Sequence, residues 1–205
     1  MTDSSDVVIW DTTAPRHLGA AGRHDILITA TGMNVPRVVL DPADPTGEAL
    51  LDHSVDGLSE IAAAEGWFRR RFRRSPNEAD FQAAENLAKL RQDPEVRVVD
   101  FEADEFDDAT TFGSETFADR MGLLAPLGKG EAAVLAIAAN REWRAGLDEA
   151  AARRVADRLR IATVTTQQWL TEQVASLSLS DREAERVYEQ IRRGGFRGPP
   201  GLWNT

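Results

Sequence analysis

A chain of 205 residues that is 42% hydrophobic and 28% charged is long enough for one sizeable core and too balanced for disorder. It has no cysteine, which removes disulfide frameworks and thiolate zinc sites. A net charge of −10 argues against broad nonspecific nucleic-acid binding, yet it leaves room for a local basic groove and suits a carboxylate metal site or a basic partner.

The chain opens MTDSSDVVIWD, with acid where a signal peptide needs positive charge. No apolar run approaches the ~18–20 residues that span a bilayer, so a cytoplasmic location without membrane attachment is expected. Val7–Trp10 is a short β-branched run that reads as a buried strand ending at Asp11–Thr12–Thr13. Leu18, Ala21 and Ile26–Leu27 predict a short helix and its connection, and Val35–Leu40 a second strand closed by the turn-rich DPADPTG. From about Gly57, Leu58, Ile61, Ala62, Phe68 and Phe72 recur near helical spacing. Ser75–Pro76–Asn77–Glu78 starts a further helix with a capping Ser, Pro at the first helical position and Glu at the third.

Val96–Phe101 is another predicted strand, followed by the acidic stretch Glu102–Asp108, which reads as a solvated loop. That stretch lacks the glycine and closing glutamate of a calcium loop. Gly128–Lys129–Gly130 opens an apolar helix from Glu131 to about Asn140. Trp143–Leu147 predicts a strand, Asp148–Glu149 starts the next helix, and Ile161–Thr165 is the last strand. Helices follow to Arg193, then a Gly/Pro-rich tail over residues 197–205 that is expected to be flexible. Strands alternating with helices predict an α/β fold on a mostly parallel sheet, whose sites gather at the carboxyl ends of the strands.

No P-loop, dinucleotide fingerprint, nucleophile elbow or zinc-protease motif occurs, and His17, His24 and His53 have no metal-ligand spacing. The informative residues are acids: Asp11 after a strand, Glu131 in the first turn of an apolar helix, and Asp148–Glu149 after a later strand. Clustered carboxylates repel one another, and Mg²⁺ or Mn²⁺ relieves that repulsion while offering Lewis acidity toward a phosphodiester. Taken singly, each acid also has a plain structural reading as a cap or dipole complement worth ~0.3–1 kcal/mol.

The order VVIWDTT, HLGAAGRHDIL, NVPRVVL, LGKGEAAVLAIAA and GLDEAAARRVADRLRI resembles PIN-domain proteins, in particular a bacterial branch with DTS, LGxGEAEAIALA and LLDDxxAR motifs. The likeness covers the first forty residues and about Leu123 to Phe196, including the closing stretch TEQVASLSLSDREAERVYEQIRRGGF. It implies one three-layer α/β/α domain over residues 1–196 and a divalent-metal-dependent ribonuclease, often the toxin of a pair silenced by an antitoxin. The metal, Mg²⁺ or Mn²⁺, would be held by Asp11, Glu131 and Asp148, with Glu149 in the acidic pair where a second aspartate is usual. Thr12 matches the small hydroxyl that follows the first aspartate.

Two departures stand out. The family's glutamate beyond the second strand falls at Pro42, with Asp41 one residue early and Asp44 no better placed. A one-residue slip in a strand turns a side chain to the other face, which makes a noncatalytic binding or regulatory partner the alternative. The middle, about residues 47–122, is longer than the family's and reads as a helical insertion. It carries Arg69, Arg70, Arg71, Arg73 and Arg74 among Trp67, Phe68 and Phe72. That strip reads equally as an RNA-binding surface or as an amphipathic helix with solvated arginines, and it also suits an acidic protein segment. Expected partners are therefore RNA and an antitoxin or regulatory protein, and a homodimer is compatible with the sequence.

Overall fold

The computed structural model describes residues 7–11, 13–29, 32–36, 94–176 and 178–203. Arg69 to Arg74, Thr12, Asp41, Pro42, Asp44, His53 and the predicted helices from Gly57 and Ser75 lie outside the described residues. The chain contacts group into two compact units, one comprising Met1–Ala14, Thr29–Val39 and Arg97–Thr166, the other Pro15–Ile28, Leu40–Val96 and Gln167–Thr205.

Five short strands form one sheet: β1 (Val8–Trp10), β2 (Met33–Pro36), β3 (Val96–Val99), β4 (Arg144–Gly146) and β5 (Thr163–Val164). They run parallel in the order β3-β2-β1-β4-β5. The expected α/β fold is what forms, with a sheet that is parallel throughout. Successive residues of a strand point to opposite faces, and Val8, Ile9 and Trp10 are all buried. Both faces at β1 are therefore covered, as a three-layer α/β/α arrangement requires. The strand expected at Val96–Phe101 forms as β3, at one edge of the sheet.

Within the first unit, the acidic stretch expected as a loop is helical: α2 spans Ala103–Phe112, after α1 (Thr13–Ala20) earlier in the chain. The reason is local and long-range at once. Glu105 reaches back to accept the Glu102 amide at 2.8 Å, satisfying an orphan donor of the first turn. It is also buried and paired with both Nε and Nη2 of Arg141, whose guanidinium lies over the Trp143 ring. Helix α3 (Glu115–Met121) begins at Ser114, whose hydroxyl accepts the Phe117 amide at 3.2 Å. Helix α4 (Lys129–Arg141) is buried along Ala132–Ala138 and packs on β1, β2 and β4. Helix α5 (Ala150–Leu159) contributes Ala152, Val155 and Ala156 to the same core.

In the second unit, α6 (Thr166–Ala175) and α7 (Asp181–Arg193) follow the last strand. Helix α7 buries Ala184, Val187, Tyr188 and Ile191, one stripe at helical spacing. Trp169 is buried, as expected for a core residue, and its indole donates to the Ile26 carbonyl at 2.8 Å. His17, expected at the surface or locally bonded, packs edge-on against Phe196, and burial pushes its imidazole down to about 4. The buried Nδ1 of His24 has no hydrogen-bond partner among the described residues. The tail's composition suggests flexibility, yet Tyr188 donates to the Pro199 carbonyl at 3.0 Å and Gln167 to that of Leu202 at 2.7 Å. Leu202 is itself buried.

Candidate functional site

The chain builds outward from β1 through β2 to β3, then returns to the other side of β1 to lay down β4 and β5. The winding direction therefore reverses between β1 and β4. In open parallel sheets the loops leaving two such strands diverge, and their carboxyl ends border a crevice. Trp10 pairs with Gly146 and Gly146 with Val164, so the three strands end at one level. The Asp11 amide donates to the Gly146 carbonyl at 3.1 Å, and the Leu147 amide to that of Val164 at 3.0 Å.

Gly146 makes this level end possible. A Cβ there would stand 2.2 Å from Cε3 of Trp10, so only glycine lets the indole lie against β4. The acids predicted from sequence leave the sheet immediately beyond this point. Asp11 follows β1, and Asp148 and Glu149 follow β4.

Asp11 is 7% exposed, and its carboxylate accepts the Thr13 hydroxyl at 3.2 Å. Thr13 is thus the described hydroxyl that reaches the first aspartate. Glu131 occupies the third position of α4 and accepts the Gly128 amide at 2.8 Å. Burial and then the negative charge of Asp11 push its carboxyl up to about 7, with the Gly128 amide offsetting part of the rise and Glu149 adding to it. The charges of Asp11 and Glu149 thus both bear on the Glu131 carboxyl.

Asp148 is coupled to Glu149 as well, but it is also hydrogen-bonded to Thr166. One of its oxygens accepts the Thr166 amide at 2.9 Å and the other the Thr166 hydroxyl at 2.5 Å. Burial raises its carboxyl, while the two bonds from Thr166 and the charge of Arg153 hold it down and Glu149 pushes it up. Glu149 precedes α5 as its capping residue, but its side chain makes no cap hydrogen bond and is exposed. The capping explanation thus fails for Glu149. It succeeds for Asp148 in an unexpected place, since the Thr166 amide is the first of α6.

Sequence reasoning overlooked Thr13 and Thr166. A legible signal for Thr166 was present in TVTTQQW, a threonine between a β-branched strand and a helix, where hydroxyls and orphan amides meet acids. Among the described residues, no three carboxylate or imidazole side chains converge closely enough, as they stand, to hold one cation. The donor set itself is the all-oxygen chemistry that a hard divalent cation takes, and the mutual repulsion raising Glu131 is what such a charge would relieve.

No family model matches this chain, and neither does any curated protein or solved structure. Among the described residues, no helix is long and apolar enough to cross a membrane.

Proposed function

We propose that the chain is a PIN-like, divalent-metal-dependent ribonuclease, with RNA as substrate and a protein antitoxin as regulator. The observation that carries this reading is the shared electrostatic environment of Asp11, Glu131 and Glu149 at the reversal point of a parallel sheet. Asp11 and Glu131 come from well-separated parts of the chain, which local capping does not explain for the pair. Bound there, Mg²⁺ or Mn²⁺ supplies Lewis acidity toward a phosphodiester. Asp11 is held by the Thr13 hydroxyl and Glu131 by the Gly128 amide, which orients both carboxylates. Near neutral pH, Glu131 exchanges a proton readily, a property suited to proton transfer during hydrolysis.

The test is cleavage of a mixed single-stranded RNA with Mn²⁺ by the parent protein, Asp11→Ala and Glu131→Ala. Metal-dependent cleavage lost in both variants supports the proposal, and undiminished cleavage by both overturns it. A second reading, a PIN-like binding or regulatory protein without nuclease activity, is favoured by Pro42 at the expected glutamate position and by Asp148's double engagement with Thr166. Calorimetry separates the two: an absence of Mn²⁺ binding at millimolar metal selects the second.

A further inference from the structure

Helix α5 leaves the sheet directly after Asp148 and Glu149, and its outward face carries charge of almost one sign. Ala152, Val155 and Ala156 turn into the core, so helical spacing puts Arg153, Arg154 and Arg158 on the opposite side. All three are exposed, and so is Arg160, which ends the helix in the left-handed conformation. Asp157 is the one acid between Ala150 and Arg160. Ion pairs among the described residues engage Arg23, Arg141 and Arg192, while none of the α5 arginines has one. Arg158 donates to the Met121 carbonyl at 2.7 Å, a bond that leaves its charge unneutralised.

A solvated helix face ordinarily mixes both signs, because opposite charges one turn apart support the helix. Helix α7 does so, interleaving four arginines with four acids. On α5, Arg154 and Arg158 stand four positions apart, where like charges oppose the helix and a bound polyanion relieves them. The net charge of the chain is −10, so this row is a local departure and does not follow from composition.

Guanidinium groups bind phosphate oxygens bidentately. The segment from Ala150 to Arg160 has no aromatic residue, so the face offers no platform for stacking bases and suits the nucleic-acid backbone alone. Nor does it present a large apolar side chain beside the arginines, as the centre of a protein interface would. Arg153 lies in the first turn, its amide bonded to the Glu149 carbonyl at 3.1 Å. Helical side chains lean toward the N-terminus, here toward Asp148, and the charge of Arg153 acts on that carboxyl. The basic row therefore starts where the candidate acids leave β4.

We propose that the α5 face formed by Arg153, Arg154 and Arg158 binds the phosphate backbone of single-stranded RNA, without reading its sequence, and leads it to the acids beyond β4. The destination rests on the ribonuclease reading above, but the binding is open to a test without metal or cleavage.

The probe is a short fluorescein-labelled oligouridylate, titrated with the full chain in EDTA at several salt concentrations and followed by anisotropy. The variants are Arg153→Gln/Arg154→Gln/Arg158→Gln, lysine at the same three positions, and Arg182→Gln/Arg186→Gln/Arg193→Gln on α7 as a control. The α5 glutamine variant should bind tenfold or more weakly and lose about 2 from the logarithmic salt slope, at about 0.7 for each phosphate contact on a single strand. The lysine variant should keep the slope and most of the affinity, which a fold-breaking effect would not produce, and the α7 control should bind within twofold of the parent. A parent that binds no oligouridylate overturns the proposal, as does an α5 glutamine variant with the parent's affinity and slope. Equal binding of a polyglutamate peptide, lost in the same variant, also overturns it and assigns the face to an acidic protein segment. RNA binding that depends on α5 without any Mn²⁺-dependent cleavage sinks the nuclease reading and leaves the binding face standing. Cleavage that persists beside parent-like binding in the α5 glutamine variant does the reverse.

Discussion

Replacing Glu131 with glutamine probes the electrostatics of the site most directly. The carboxyl is raised from 4.5 to about 7, chiefly by burial and by the charge of Asp11. Each tenfold change in proton affinity corresponds to about 1.4 kcal/mol, so ionising Glu131 in the folded protein costs ~3 kcal/mol at most, less where solvent screens it. Below pH 4.5 the group is protonated in both folded and unfolded chains. As pH rises from there to about 7, the unfolded chain releases its proton first, so the stability this group contributes is lost across that window. Glu131→Gln is uncharged throughout and still offers an oxygen to the Gly128 amide, so it should escape that loss. Urea unfolding at about pH 5 and about pH 8 measures the effect: the variant should gain on the parent by ~2–3 kcal/mol between the two. A stability difference that stays constant over this range would refute the coupling of Glu131 to its acidic neighbours. Saturating Mn²⁺ at the higher pH should restore the parent and leave the variant unmoved.

Other expectations follow from single contacts. Gly146→Ala drives a methyl into the Trp10 indole in a close-packed core, and thermal or urea melts should register a loss of ~1–3 kcal/mol or more. Arg141→Ala leaves Glu105 buried without its guanidinium and should cost ~3–5 kcal/mol, whereas replacing both partners with apolar residues should recover much of that loss. Burial lowers His17 from 6.5 to about 4, so its contribution is present above pH 6.5 and lost as pH falls through that interval. His17→Leu should therefore flatten the acid side of the pH–stability curve, and an unchanged acid limb would refute this account.

How much of this was legible in the sequence differs from element to element. The run VVIW could only be a buried strand, and LGKGEAAVLAIAA only an apolar helix, because period and composition leave no polar face to either. The candidate acids Asp11, Glu131 and Asp148–Glu149 were visible as carboxylates at element ends, since strand and helix ends are where short-range patterns stop. Glu102–Asp108 was misread as a loop because its helix is stabilised from 36 residues away, by Arg141 on Glu105. No local pattern carries a bond of that span. The order β3-β2-β1-β4-β5 likewise belongs to tertiary structure, and with it the fact that the ends of β1 and β4 adjoin.

Composition and periodicity thus determined by themselves that this is an α/β protein with carboxylates at the strand and helix ends. Only the tertiary structure decided which acids share a field. The charges of Asp11 and Glu149 bear on Glu131 because the sheet reverses beside β1, while Asp148, adjacent to Glu149 in the chain and also raised by it, is bonded to Thr166. Neighbours in sequence differ in role here because electrostatic coupling and hydrogen bonding depend on distance in space, which the residue order does not contain.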